Sequence, residues 1–222
     1  MKVLVQENNH QSFLEAILAG IMIALGGSIY LSVENKILGS FLFALGLYTI
    51  CVFAFNLFTG KVGYLMDAIK KKKHASYLKF LGIVWLGNLI GANIVAFLLK
   101  NTRLAKTSIT SLGLIEKATI LVQTKLIDSP LSLFILSIFC GLLMYIAVDI
   151  YKEKEEGLGR YLGIFLCVMV FILAGFEHCV ANMFYFALAG AFKNFSTWYL
   201  LLVMTMGNSL GAMLIPYLHK KR

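Results

Sequence analysis

The sequence predicts an all-α integral membrane protein, and two features support this: a shortage of charged residues and a series of long apolar segments. Of 222 residues, 59% are hydrophobic and 14% are charged, whereas soluble domains carry about 25% charged residues. A spanning helix needs about 20 mostly apolar residues. Six segments meet or approach this length: 13–33, 37–58, 80–99, 131–150, 161–186 and 197–218. We therefore expect one transmembrane domain, residues 1–222, with six spanning helices.

Two of the six segments, the second and the fifth, are expected to be interrupted. The second runs into Thr59 and Gly60, and glycine permits a sharp turn there. The fifth is longer than a single crossing requires and carries Glu177 and His178 in its middle. The segment 101–129 between the halves is amphipathic, so we expect it to lie outside the spanning set.

The two halves of the chain repeat each other. The sequence GNLIGA at 87–92 returns as GNSLGA at 207–212, an offset of 120 residues (207 − 87). The interruptions follow the same order (178 − 59 = 119), as do glycines in the first and fourth segments (141 − 20 = 121). This indicates a duplicated three-helix unit, with repeats at about 13–100 and 131–218. Because each unit has an odd number of helices, the repeats should be inverted.

Inverted repeats of this kind are typical of transporters and channels, with the pathway at the repeat interface. Unpaired backbone in a membrane must line water or be buried in protein, so the two interruptions should meet there. His178 is the leading functional candidate because an ionisable group within a span is costly. Thr59 can donate or accept a hydrogen bond to it. The alternative is a buried structural histidine bonded to Asn182 or to a backbone carbonyl.

Large apolar side chains near these breaks are candidates for a constriction that excludes water. Each candidate lies close to a break or on the same helical face as a break residue: Phe43, Leu47, Leu57, Phe58 and Phe171. Any one aromatic side chain is more often lipid-facing or part of the core, so these candidates rest on the pattern.

Basic residues between the apolar segments predict the orientation. With the N-terminus in the cytoplasm, twelve Lys or Arg residues lie on the cytoplasmic side and seven on the other, which favours cytoplasmic termini. The start of the chain lacks the features of a signal peptide, and we expect a multi-pass protein of the plasma or inner membrane. The net charge of +9 thus serves topology, and no nucleic-acid partner is expected. Four cysteines without CxxC spacing predict neither a disulfide framework nor a metal site, and we expect no cofactor.

Three alternatives to a pore correspond to other features of the sequence. The sequence GNSLG at 207–211 matches the G-x-S-x-G pattern of serine hydrolases, but that pattern belongs to a strand-to-helix turn, whereas here it lies within a helix. An aquaporin would need two Asn-Pro-Ala turns, and the two prolines follow Ser129 and Ile215 instead. A membrane scaffold without flux stays open, although it would not need Thr59 and His178 to face each other.

Three motifs resemble those of the formate/nitrite transporter family. They are LFTG at 57–60, GFEHCVANM at 175–183, and Gly207-Asn208 with Gly211, and the resemblance covers essentially the whole chain. It implies an aquaporin-like protomer, a homopentamer with one pore in each protomer, and small monovalent anions as substrates: formate, nitrite, lactate-type acids or hydrosulfide. It also implies that His178 and Thr59 form the pore centre, with Lys125 and Asn208 as further polar groups.

The chain departs from the family pattern at three positions. Asn56 replaces an acidic residue, Gly141 replaces an asparagine, and Lys61 follows the first break. These selectivity candidates resemble the hydrosulfide-channel branch, which they favour. In the expected mechanism Lys125, with Lys61, attracts the anion, and His178 donates a hydrogen bond or a proton so that no charge need be buried.

Overall fold

The computed structural model describes residues 9–108, 111–153 and 157–219. In that part of the chain the structure is α-helical, and the helices follow in this order: α1 Asn9–Ser32, α2 Lys36–Val52, α3 Phe58–Lys61, α4 Leu65–Lys70, α5 His74–Lys100, α6 Leu114–Ile127, α7 Pro130–Glu153, α8 Leu158–Leu173, α9 Cys179–Ala189 and α10 Phe195–Leu218. Some basic residues used for the orientation lie outside the described residues: Lys2, Lys154, Lys220, Lys221 and Arg222.

Four helices in the described residues, α1, α5, α7 and α10, are long and apolar enough to cross a membrane. A 24-residue helix such as α1 is about 36 Å long, which exceeds the hydrocarbon thickness. The second and fifth predicted spans are each divided into shorter helices. The second predicted segment, 37–58, stops being helical at Val52, and the fifth, 161–186, is broken between Leu173 and Cys179. The amphipathic segment between the halves contains α6.

Two asparagines, Asn88 on α5 and Asn208 on α10, make the same three hydrogen bonds in the two halves. Asn88 Nδ2 donates to the carbonyls of Ala16 (2.7 Å) and Asn56 (2.9 Å), and Asn88 Oδ1 accepts from the N–H of Phe58 (2.8 Å). Asn208 does the same with Ser137, Glu177 and Cys179, all at 2.8 Å. Each amide therefore ties a long helix to the start of a short one.

Glycines allow the long helices to approach backbone to backbone. A Cβ at Gly20 would overlap the carbonyl of Asn88, and a Cβ at Gly141 would overlap the carbonyl of Asn208. Gly91 and Gly211 are equally close to carbonyls of α1 and α7. These contacts join α1 to α5 and α7 to α10 in the same way, as expected for small-residue packing in membranes.

The two halves also pack against each other. Helix α2 lies against α8, α5 lies against α9, and α10 lies against the α3–α4 segment. Trp85 Nε1 donates a 3.2 Å hydrogen bond to Thr205 Oγ1 across this junction, between residues 120 positions apart. Helix α9 occupies the centre, since all of residues 179–188 are buried.

Candidate functional site

Each half has a backbone break in front of a short helix. The breaks pass through a residue with a left-handed conformation: Ala54 (φ +57°) in the first half and Gly175 (φ +73°) in the second. After each break the backbone turns back into the protein, and the short helices α3 and α9 begin at Phe58 and Cys179. Asn88 accepts a hydrogen bond from the N–H of Phe58, and Asn208 accepts one from the N–H of Cys179. Phe58 and Cys179 are therefore equivalent positions in the two halves, at an offset of 121 (179 − 58).

Thr59 and His178 meet where the short helices begin. Thr59 Oγ1 lies 2.8 Å from His178 Nε2, and both residues are buried. His178 caps α9 because its Nδ1 accepts the N–H of Ala181 at 3.1 Å. An acceptor at Nδ1 leaves the proton of the neutral ring on Nε2, so His178 donates to the hydroxyl of Thr59. The pair is not related by the internal repeat, since at an offset of 121 the equivalent of His178 is Leu57.

Large apolar side chains surround this polar pair. The Phe171 ring stacks on His178 with centroids 5.7 Å apart, and Phe43 meets the edge of Phe171 at 5.9 Å. Of the predicted constriction residues, Leu47 and Leu57 are 0% and 1% exposed, and Phe58 is also buried. A hydrated solute at this point would therefore lose contacts with water.

Lys125 on α6 is bound to the residue that precedes His178. Its Nζ lies 2.6 Å from both carboxylate oxygens of Glu177, and their side chains are only 11% and 7% exposed. Glu177 Oε2 also accepts a hydrogen bond from Asn182 Nδ2 at 2.7 Å. The charge of Lys125 is thus balanced locally, and the side-chain amide of Asn182 bonds to Glu177 rather than to the His178 ring.

A cavity of about 260 Å³ opens on this network. Polar groups and the constriction side chains contribute to its wall, among them Lys125, Glu177, His178, Asn182, Phe43 and Phe171. Asn182 Oδ1 has no hydrogen-bond partner within the described parts of the chain. The wall of the cavity therefore combines an ion pair, a hydrogen-bond acceptor and apolar side chains beside the Thr59–His178 pair.

Several predicted residues lie away from this cavity. Asn208 uses its amide for the three backbone contacts described above, so we assign it a positioning role. Gly141 permits the close contact between α7 and α10. Asn56 is buried and donates to Glu15 Oε2 at 2.8 Å, and the carbonyl of Lys61 accepts from the Tyr77 hydroxyl.

Sequence reasoning did not select Glu177 and Asn182 as site residues. Asn182 was considered only as a bonding partner for His178, and Glu177 only as a polar residue within the fifth segment. A signal was present, because the two buried polar residues flank His178 in an apolar segment. In the described parts of the chain, no group of three or more His, Cys, Asp or Glu residues is arranged to hold a metal ion.

Comparison with known proteins identifies the family of this chain. A sequence profile described as formate/nitrite transporter matches residues 3–219. The chain belongs to the formate/nitrite transporter family. Among members of this family, the nitrite transporter NirC of Escherichia coli (strain K12) is 29% identical over 204 residues, which cover 86% of this chain and 72% of NirC.

Solved structures of formate/nitrite transporter proteins have the same fold. An FNT family ion channel superposes with a TM-score of 0.85 at 25% identity, covering 97% of this chain and 92% of that one. A structure described as a pentameric formate channel with formate bound gives a TM-score of 0.80 at 27% identity, covering 96% of both chains. These relatives are transporters or channels rather than enzymes, and this family member is a multi-pass membrane protein.

Proposed function

We propose that this chain forms a pore for small monovalent anions or their conjugate weak acids, with formate and nitrite as the first substrates to test. The hydrogen bond between Thr59 Oγ1 and His178 Nε2 carries the proposal. It lies where two short helices begin, beneath an apolar constriction and beside a cavity. The substrates named for the relatives, nitrite and formate, support this choice.

The architecture that we propose for this pore is the inverted repeat. Helices α1 to α5 form one unit with a broken second span, and α7 to α10 form the other. The matching hydrogen bonds of Asn88 and Asn208 support this arrangement. With six crossings both termini would lie on one membrane face, and the distribution of basic residues favours the cytoplasmic face.

In the proposed mechanism a substrate enters the cavity beside Lys125 and Glu177. Since this pair is close to neutral, it does not trap an anion strongly, and conduction requires binding weak enough for release. His178 Nε2–H then offers a hydrogen bond in place of lost water, and the N-terminal end of α9 adds a favourable partial charge. Asn182 Oδ1 is an acceptor for a substrate that carries its proton.

Hydrosulfide is the second candidate substrate. Its preference was predicted from Asn56, Lys61 and Gly141, and it stays a prediction. The contacts of two of these residues give them other roles: Gly141 is required for close packing at Asn208, as Gly20 is at Asn88, and Asn56 is bonded to Glu15. Lys61 remains a candidate for a hydrosulfide preference.

We further propose a homopentamer with one pore in each protomer. A structural relative that covers 96% of the chain is described as pentameric, which supports this assembly. Outward-facing apolar side chains such as Phe97 and Leu202 are available for contact with lipid or with another protomer. Measuring the mass of the purified protein in detergent and in lipid would test the subunit number.

The deciding experiment is flux into proteoliposomes that contain the purified protein. Formate, nitrite, chloride and hydrosulfide should be offered side by side. We expect formate or nitrite uptake to exceed chloride uptake, and hydrosulfide uptake above both would restore the hydrosulfide preference. Absence of flux for every substrate would refute the pore and favour a scaffold.

Variants of the central pair test its role separately. Thr59→Val and His178→Phe remove the hydrogen bond, and we expect each to reduce flux at least tenfold. Thr59→Ser retains the hydroxyl and should retain flux. His219→Gln is a matched control, because His219 is exposed at the end of α10. Full flux in both Thr59→Val and His178→Phe would refute the assignment of the pore centre.

A further inference from the structure

Helix α9 and its cap turn one face towards the cavity. Four residues of this segment contribute to the cavity wall: His178, Ala181, Asn182 and Tyr185. Their spacing of i, i+3, i+4 and i+7 places them along one stripe of the helix. Tyr185 was not selected from the sequence, and it brings a hydroxyl group to a part of the wall that lies two turns beyond His178.

The ring of Tyr185 is held between α9 and α1. Its centroid lies 5.5 Å from that of Phe184, and a Cβ at Gly27 of α1 would lie only 3.3 Å from the Tyr185 ring. The residue is 6% exposed, and in the described parts of the chain no hydrogen bond joins its hydroxyl to another group. Because a buried hydroxyl without a partner is costly, the contents of the cavity are the available partner.

Asn182 offers the opposite function one turn earlier on the same stripe. Its Nδ2 is bonded to Glu177, whereas its Oδ1 has no partner among the described residues. Long side chains in a helix point back towards its N-terminus, and Tyr185 lies within electrostatic reach of the Glu177 carboxylate. We therefore expect the Tyr185 hydroxyl to lie over the turn that carries Asn182. The wall then presents one donor and one acceptor side by side.

We propose that Tyr185 is a specificity-determining residue, which favours small oxyacids and their anions, such as formate and nitrite, over hydrosulfide and chloride. The inference deepens the proposed pore function and rests on it. The Tyr185 hydroxyl donates a hydrogen bond to an oxygen of the substrate. When the substrate carries its proton, its own O–H donates to Asn182 Oδ1.

The rejected ions lack part of this pattern. Chloride has no proton to donate to Asn182, and sulfur is a weak acceptor for the Tyr185 hydroxyl. Either ion leaves a buried polar group poorly paired, and a site built from hydrogen bonds discriminates against analogues for that reason. A phenylalanine at position 185 would remove the donor and retain the shape of the ring.

Uptake into proteoliposomes tests this role when formate, nitrite, hydrosulfide and chloride are compared in each variant. Tyr185→Phe should lower the ratio of formate to hydrosulfide uptake about two- to tenfold, the effect of one hydrogen bond, while hydrosulfide uptake stays unchanged. Tyr185→Met fills the site with a flexible apolar side chain and should show the same loss. Tyr199→Phe is the matched control, because Tyr199 is 50% exposed on α10.

A second measurement reports on the hydroxyl without flux. The near-ultraviolet absorption of a phenol shifts when its O–H donates a hydrogen bond. Saturating formate should therefore produce a tyrosine difference spectrum with the purified protein, and Tyr185→Phe should abolish it. Tyr199→Phe should retain the full signal.

The outcomes separate the selectivity of Tyr185 from the pore itself. An unchanged formate-to-hydrosulfide ratio in both Tyr185 variants would overturn the proposal and leave the pore intact. Equal loss of all four substrates in a variant with the thermal stability of the wild type would also overturn it, since Tyr185 would then serve every substrate alike. If the wild type transports nothing, the pore fails, and the difference spectrum decides the site: a signal that depends on Tyr185 retains it, and no signal removes it.

Discussion

The ion pair between Lys125 and Glu177 should respond very differently to single and double substitution. Lys125→Met retains the length of the side chain and removes its charge. Glu177, 7% exposed, would lose its basic partner and keep the Asn182 amide as a hydrogen-bond donor. Leaving one member of a buried pair uncompensated costs about 3–5 kcal/mol. At about 2–4 °C per kcal/mol for a chain of this size, the unfolding midpoint should fall by roughly 6–20 °C.

The double variant Lys125→Met with Glu177→Gln should recover most of this loss. A glutamine amide still accepts from Asn182 and leaves no buried charge, and replacing a buried pair by neutral groups is often close to neutral in stability. Thermal unfolding of the purified protein, followed by the fluorescence of Trp85 and Trp198, measures all variants. Lys117→Met, on the same helix α6, controls for loss of a lysine.

Two outcomes would contradict this reasoning. If Lys125→Met lowers the midpoint no more than Lys117→Met does, the pair contributes little to the folded state. If the double variant is as unstable as the single one, Lys125 acts through contacts other than Glu177. Flux measured on the same samples separates stability from transport: a stable double variant without flux would assign the pair a direct role in conduction.

Further substitutions test the packing of the helices and the backbone of the two breaks. Asn208→Leu leaves the N–H that opens α9 without an acceptor and should cost about 2–4 kcal/mol in thermal unfolding. Gly211→Ala forces a methyl group onto a backbone carbonyl of α7 and should destabilise by about 1–3 kcal/mol, whereas Gly82→Ala, with open space around it, should not destabilise. At the breaks, Ala54→Gly should stabilise and Gly175→Ala should destabilise, each by about 1 kcal/mol, because both backbones have positive φ. Equal midpoints for those two variants would refute the strain argument.

Much of the fold follows from local sequence. The missing charge and the apolar segment lengths predict the long helices, because the membrane leaves few options for backbone hydrogen bonds. The duplicated glycines and asparagines predict equivalent packing of the two halves. In the structure Gly20 contacts the carbonyl of Asn88, and Gly141 contacts the carbonyl of the equivalent Asn208. The helix ends near Val52 and Leu173 were not predicted, since apolar residues continue through both turns.

The site was harder to predict because its contacts are long-range. Lys125 and Glu177 are 52 residues apart, and no periodicity within one helix brings them together. The residue type alone also does not show what a side chain contacts. Asn208 looks like a polar pore residue in an apolar helix, but its amide is hydrogen-bonded to the backbone of the neighbouring break. Thr59 and His178 are in contact without being equivalent in the repeat, so the repeat alone does not explain their pairing.

The hydrogen bond between Trp85 and Thr205 has a consequence for how the protein can be divided. These positions are 120 residues apart, at the offset of GNLIGA and GNSLGA, so corresponding positions of the two halves contact each other. Such self-matching contacts are those of a symmetric dimer. Cutting the chain between Ala105 and Gly113, ahead of α6, should therefore yield two fragments that reassemble when they are produced together.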